Sequence, residues 1–189
     1  MNIGLYFGSF NPIHLGHLII ANYVVEHSDI DKVWFVVSPH NPLKQSSTLL
    51  NEYHRFHLVE LAIKGNNKFR ASNIEFSLPK PSYTIDTLTY LQEKFPHEHF
   101  SVIMGSDSYQ NIKRWKNYEQ LIAQYPIIVY QRPSFEITEK LSPNTTLLNA
   151  PLLEISATMI RQMIKDKKSI RYLLPDEVIA YIQENRYYQ

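Results

Sequence analysis

Gly8-Ser9-Phe10-Asn11-Pro12-Ile13-His14-Leu15-Gly16-His17 is the segment of this chain whose residue types and spacing are best suited to chemistry. An apolar run, Ile3-Gly4-Leu5-Tyr6-Phe7, leads into it, and a helix-like run from Leu15 to Val25 leaves it. A strand, a small-residue turn and a helix start make a phosphate cradle, because the first amides of a helix are unpaired and carry partial positive charge. His14 and His17 are three residues apart, so a helix starting there projects both from one face. Backbone donors and two imidazoles, with no acidic residue among them, suit a polyphosphate. Glycine, proline and asparagine are also ordinary turn residues, so the specific signal is the joint pattern. A metal at the two histidines is disfavoured, since zinc normally takes three or four protein ligands and the chain has no cysteine.

A second candidate lies far along the chain. In Ile155-Ser156-Ala157-Thr158-Met159-Ile160-Arg161, Ser156 suits a helix N-cap, and Thr158 and Arg161 share a face. Met159, Ile160, Met163 and Ile164 form the apolar stripe behind them. Alone, this is also the sequence of a capped amphipathic helix with a solvated arginine. Beside the first motif, its hydroxyls and fixed cation supply the other jaw of a triphosphate clamp.

The elements that must position these residues alternate. Apolar runs predict strands near 3–7, 32–38, 69–74, 99–104 and 126–131, and helical patterns predict helices near 15–28, 51–64, 83–95, 116–124, 156–167 and 175–186. Runs such as Val33-Trp34-Phe35-Val36-Val37 lack polar alternation, so both faces should be covered. That pattern predicts an α/β fold, an open parallel sheet flanked by helices. Ligands bind such sheets beyond the carboxyl ends of the strands, where strand order reverses. Segments 8–14, 38–48 and 105–115 should therefore face one site, while 132–146 reads as a surface connection and Arg132, after the last strand, is left unassigned.

Length and composition narrow the classes. The 189 residues suit one domain, 1–189, ending in a small helical part over about 156–189. Apolar residues at 44% and charged residues at 20% are ordinary for a globular protein, and a net charge of +1 argues against non-specific nucleic-acid binding. The absence of cysteine fits a reducing compartment, a strand starting at residue 3 leaves no room for a signal peptide, and no apolar run has the length of a membrane span. The expectation is a cytoplasmic protein without a membrane partner. The tyrosine-rich end (Tyr181, Tyr187, Tyr188) can pack on the chain itself or on a second copy, so a homo-oligomer is compatible with it.

Together, GSFNPIHLGH and ISATMIR resemble the two signatures of the HxGH nucleotidyltransferases, which transfer a nucleotidyl group from a nucleoside triphosphate to a phosphate acceptor. Within that superfamily the chain is most similar to the nicotinate-mononucleotide adenylyltransferases of NAD synthesis, through Pro81-Ser82-Tyr83-Thr84-Ile85-Asp86-Thr87-Leu88, Met104-Gly105-Ser106-Asp107 and Trp115. The resemblance spans essentially the whole chain. It implies a Rossmann-like fold, ATP and nicotinate mononucleotide as substrates, and Mg²⁺ carried by the substrate rather than by the protein.

Transferred residue by residue, it implies that His14, His17 and Arg161 are catalytic contacts to the phosphates. Gly8, Ser9 and Phe10 lie along the nucleotide, Gly105 and Asp107 sit at the ATP ribose, and Ser156 and Thr158 hold the β- and γ-phosphates. Lys44 lies near the reacting phosphates, Trp115 stacks on the nicotinate ring, and the backbone near Thr84 and Lys116 reaches its carboxylate. By residue type alone, Asp107 also suits a helix cap, Trp115 a core aromatic and Lys44 a solvated loop. The chain departs from the family at Asn11, where Asp is common, so that position is assigned to loop geometry. It departs again at Asn41-Pro42-Leu43-Lys44, where a histidine is missing. Other readings are a sister transferase (phosphopantetheine adenylyltransferase or a cytidylyltransferase) and a nucleotide-binding module without turnover. The aromatic Trp115 and Ser82-Tyr83-Thr84 speak against the sister enzymes.

Overall fold

The computed structural model of the chain describes residues 1–39, 49–151 and 153–189. Six strands form one sheet: β1 (Asn2–Gly8), β2 (Lys32–Val37), β3 (Phe69–Ser72), β4 (His99–Gly105), β5 (Ile127–Tyr130) and β6 (Thr145–Leu148). Their order is β3-β2-β1-β4-β5-β6, with every pairing parallel. Seven α-helices are described: α1 (Leu15–His27), α2 (Glu52–Ile63), α3 (Thr84–Lys94), α4 (Ser106–Gln110), α5 (Tyr118–Gln124), α6 (Ala157–Lys165) and α7 (Asp176–Glu184).

Alternation along the strands sorts the core into two layers. Ile3, Leu5, Trp34, Val36, Val102 and Met104 face one way and pack under α3 and α5 through Leu88, Leu91 and Leu121. Tyr6, Val33, Phe35, Val37 and Ile103 face the other way, under α1, α2, α6 and α7 through Val24, Leu58, Ile160 and Val178. Covering both faces is what the unbroken apolar run of β2 requires.

Three local features differ from the sequence reading. The segment expected to be a surface connection, 132–146, runs into β6, an edge strand in which only Thr145 and Leu148 are buried, so it carries no continuous apolar run. The end of the expected third strand is instead a 3₁₀ turn, Ile74–Phe76, which turns Glu75 inward. The expected loop after β4 begins with α4, a five-residue helix too short to show a period. The C-terminal tail packs on the chain itself, with the Tyr187 hydroxyl 3.0 Å from His54 Nδ1 on α2. No helix among the described residues is long and apolar enough to cross a membrane.

Strand order reverses between β1 and β4, and the carboxyl ends of the two strands open into the crevice that such a reversal creates. A cavity of about 700 Å³ lies there, within the range of small-molecule sites.

Candidate active site

The turn after β1 forms one wall. Phe10 adopts a left-handed backbone (φ 44°), which is unfavourable for a residue with a side chain. Burial of its ring offsets this: Tyr6, Phe35 and His17 surround it with ring centroids 5.9, 5.6 and 5.1 Å away. Gly8 has to be glycine here, because a Cβ would come within 2.9 Å of the Phe10 ring. Asn11 bears out the loop-geometry assignment, since its Oδ1 accepts from Leu50 N at 3.2 Å.

His14 immediately precedes α1 with extended backbone, and its ring stacks on His17 at 3.7 Å between centroids, 27° between planes. Gly16 leaves room for that stack, because a Cβ would lie 2.9 Å from His14 Nδ1. The His14 amide donates to His17 Nδ1 at 3.3 Å, so the neutral His17 ring carries its proton on Nε2. Burial, helped by the nearby Arg132 charge, lowers the His14 pKa to about 4. Burial, then His14 and Arg132, holds His17 well below its ordinary value. Both imidazoles are therefore neutral at neutral pH, and Arg132 supplies fixed positive charge beside them.

The second motif closes on the first. Ser156 caps α6 as expected, its Oγ accepting from Met159 N at 3.2 Å. Arg161 donates through Nη2 to Thr158 Oγ1 (3.1 Å) and through Nη1 to Asn11 O (2.7 Å), bonding the start of α6 to the turn after β1. A further tie joins Leu15 N at the start of α1 to Leu173 O (2.9 Å).

The opposite wall comes from the ends of β4 and β5 and the start of α3. Asp107 Oδ2 accepts from Arg132 Nη1 at 3.2 Å, and Arg132 N donates to Ser106 Oγ at 2.8 Å. Trp115 is half-buried against the α3–α5 layer and also faces the cavity, so its core and site readings are compatible. Lys116 Nζ reaches Asp86 Oδ2 (2.8 Å) and lies 4.9 Å above the Tyr83 ring, joining the segment before α5 to α3. Glu75, buried beneath that wall, accepts from Ser82 Oγ and Thr87 Oγ1, both at 2.9 Å. Burial raises its pKa, and the hydroxyls around it oppose the rise.

The cavity is thus lined by Gly8, Ser9, Phe10, His14, His17, Thr84, Gly105, Asp107, Trp115, Lys116, Ser156, Thr158 and Arg161, brought together from every part of the chain. Lys44 lies outside the described residues. Five positions were missed. Arg132 lies two residues past the end of β5, at the strand end where ligands bind, and that placement was its signal. Glu75 was hidden by the misread turn. Tyr6 and Tyr130 read as strand apolars. Arg55 is different: its surface is fully buried, and it shares the helix face of Leu58 and Val59, a spacing visible in the sequence. Its guanidinium donates to Leu50 O (2.7 Å), Ser9 O (2.6 Å), Ser38 O (2.8 Å) and Pro39 O (3.0 Å).

Comparison with known proteins agrees with this geometry. A cytidylyltransferase-like family profile matches residues 5–163. Proteins described as probable nicotinate-nucleotide adenylyltransferases are similar over full length: 54% identity in Cytophaga hutchinsonii, covering 100% of this chain and 98% of the relative. In Flavobacterium psychrophilum the identity is 50%, covering 100% of both. The Plasmodium falciparum nicotinic acid mononucleotide adenylyltransferase, solved in complex with NaAD, superposes with a TM-score of 0.86 at 26% identity, over 99% of this chain and 97% of that one. A parallel sheet of this order, two motifs closing on one cavity and full-length likeness of this degree lead to one conclusion: the chain belongs to the cytidylyltransferase-like family and, within it, to the nicotinate-nucleotide adenylyltransferases.

Proposed function

We propose that the cavity binds ATP along the His14–His17 and Ser156–Arg161 motifs and nicotinate mononucleotide against Trp115 and the start of α3. The acceptor phosphate attacks the α-phosphorus of ATP in line. A new P–O bond forms as the bond to the β-phosphate oxygen breaks, giving nicotinate adenine dinucleotide and pyrophosphate. The acceptor is already anionic at neutral pH, so no general base is needed, and catalysis reduces to positioning and charge stabilisation. The observation that carries this reading is the Arg161–Asn11 bond, which seats the second motif's cation on the turn holding the stacked imidazoles.

In this arrangement His17 Nε2–H is a neutral donor that strengthens as anionic phosphate raises the ring's proton affinity. Arg161 stabilises the pyrophosphate end, and Gly8, Ser9 and Phe10 bring backbone close to the nucleotide. Asp107, held by Arg132, accepts from ribose hydroxyls. Thr84 begins α3, where free amides suit the nicotinate carboxylate. Among the described residues no group of three or more His, Cys, Asp or Glu side chains is placed to hold a metal ion. Mg²⁺ brought in on phosphate oxygens and water would screen phosphate charge.

The test is pyrophosphate release with the acid and amide mononucleotides. Amides aimed at a carboxylate are left unpaired by a carboxamide NH₂, so the acid is expected to be preferred by about a hundredfold or more in kcat/KM. Equal values for the two acceptors would refute the placement of the nicotinate carboxylate.

A further inference from the structure

Tyr6 and Tyr130 bring their hydroxyls within 2.9 Å of each other at the floor of the cavity, which both residues line. Tyr6 is almost fully buried, at 4% exposure, and its ring is held by Phe10, Phe35 and His17 at 5.9, 5.8 and 5.9 Å. Those three neighbours would accept a phenylalanine equally well, so a hydroxyl placed there calls for a partner. That partner is Tyr130, which is less buried and stands at the end of β5.

Proton bookkeeping then points outward. Two phenols carry two O–H protons, and their mutual bond uses one. Among the described residues, neither hydroxyl has any other hydrogen-bond partner, so one donor is left without an acceptor. Since Tyr6 is walled in by rings, the free donor is the Tyr130 O–H. The Tyr130 Cζ lies 3.2 Å from where a Gly105 Cβ would stand, and Asp107 and Arg132 border the same spot. Gly105 thus leaves open the space that this hydroxyl, the Asp107 carboxylate and the Arg132 side chain share. Burial raises the pKa of both phenols above the ordinary tyrosine value, so both are protonated donors at neutral pH.

We propose that Tyr130 is a nucleotide-binding residue, its hydroxyl donating to an oxygen at the ribose–α-phosphate end of ATP, and that Tyr6 is its positioning residue, donating to Tyr130 so that the second proton faces the ligand. The proposal rests on the placement of ATP given above. A donor that itself accepts a hydrogen bond is polarised and strengthened, so the pair acts as a unit.

Phenylalanine substitutions keep both rings and test this directly. Tyr130→Phe is expected to lower kcat/KM for ATP by about tenfold to fiftyfold, the loss of a hydrogen bond to a polar or charged oxygen, with KM for nicotinate mononucleotide within about twofold. Tyr6→Phe should lower the same parameter by less, and the double variant should match Tyr130→Phe rather than sum the two. Wild-type kcat/KM for ATP in Tyr130→Phe, or equal losses for both substrates, would overturn the proposal, and additive losses would remove the positioning role of Tyr6. Asp107→Ala separates the two levels. If it loses kcat/KM for ATP while Tyr130→Phe does not, the tyrosine proposal fails alone; if it loses nothing, the placement of ATP fails with it.

Discussion

At the scale of single residues, the stacked pair His14–His17 shows how burial sets the chemistry. Imidazoles in water are half charged near pH 6.5, whereas here burial and Arg132 keep them neutral at neutral pH. His17 then offers a preorganised donor whose orientation is already set by the His14 amide, so no reorganisation is required during the reaction. His17→Ala is expected to lower kcat by about 10²- to 10³-fold, the scale of removing one preorganised donor. Steady-state kinetics should show much smaller changes in either KM. Turnover near the wild-type level would take His17 off the list of catalytic contacts. Residue types and spacing were enough to identify this pair; their neutrality was not legible, because Arg132 stands 115 positions beyond His17 in the sequence.

Secondary-structure elements meet at Arg55. This cation has four carbonyl partners, and they belong to the turn after β1, the end of β2 and the segment entering α2. The α2 helix therefore carries a clamp that fixes where β1 and β2 release their chains into the site. Lysine is a poor substitute, since one ammonium cannot reproduce a planar fork reaching several acceptors. Arg55→Lys is expected to cost on the order of 2–3 kcal/mol in urea unfolding, because buried carbonyls lose their partners. It should also raise KM for ATP through the displaced Ser9 backbone. An unchanged urea midpoint would show that the clamp is not needed. The element positions were largely legible, because unbroken apolar runs mark buried parallel strands. What was lost was the short or edge structure: β6 with two buried residues, and the turn at Glu75 whose cause lies at Ser82 and Thr87.

For the whole molecule, the neutral histidines couple folding to pH. The unfolded chain takes up protons at His14 and His17 near pH 6.5, while the native state resists protonation until about pH 4 at His14, and burial lowers the His17 pKa well below its ordinary value too. Between those limits the unfolded state binds more protons, so stability falls as pH drops. At ~1.4 kcal/mol per unit, His14 alone accounts for on the order of 3 kcal/mol once pH has fallen to about 4. Glu75 acts in the opposite sense, since its raised pKa lets the native state gain a proton earlier than the unfolded chain. Thermal melts from pH 7 to 4 should show this loss in the wild type and a clearly smaller one in a His14→Gln/His17→Gln variant. Parallel curves for the two proteins would place the acid sensitivity elsewhere.

Sequence alone determined the layered parallel architecture and both helix-start motifs that line the cavity, because hydrophobic periodicity and helix-start chemistry are local properties that a few consecutive residues express. Tertiary structure alone decided which distant residues complete the site. Arg161 meets Asn11 across 150 positions, Tyr6 meets Tyr130 across 124, and the charge on two histidines depends on an arginine from another strand end. Such contacts depend on how strands are ordered in the sheet, and strand order is settled by the packing of the whole chain rather than by any segment of it.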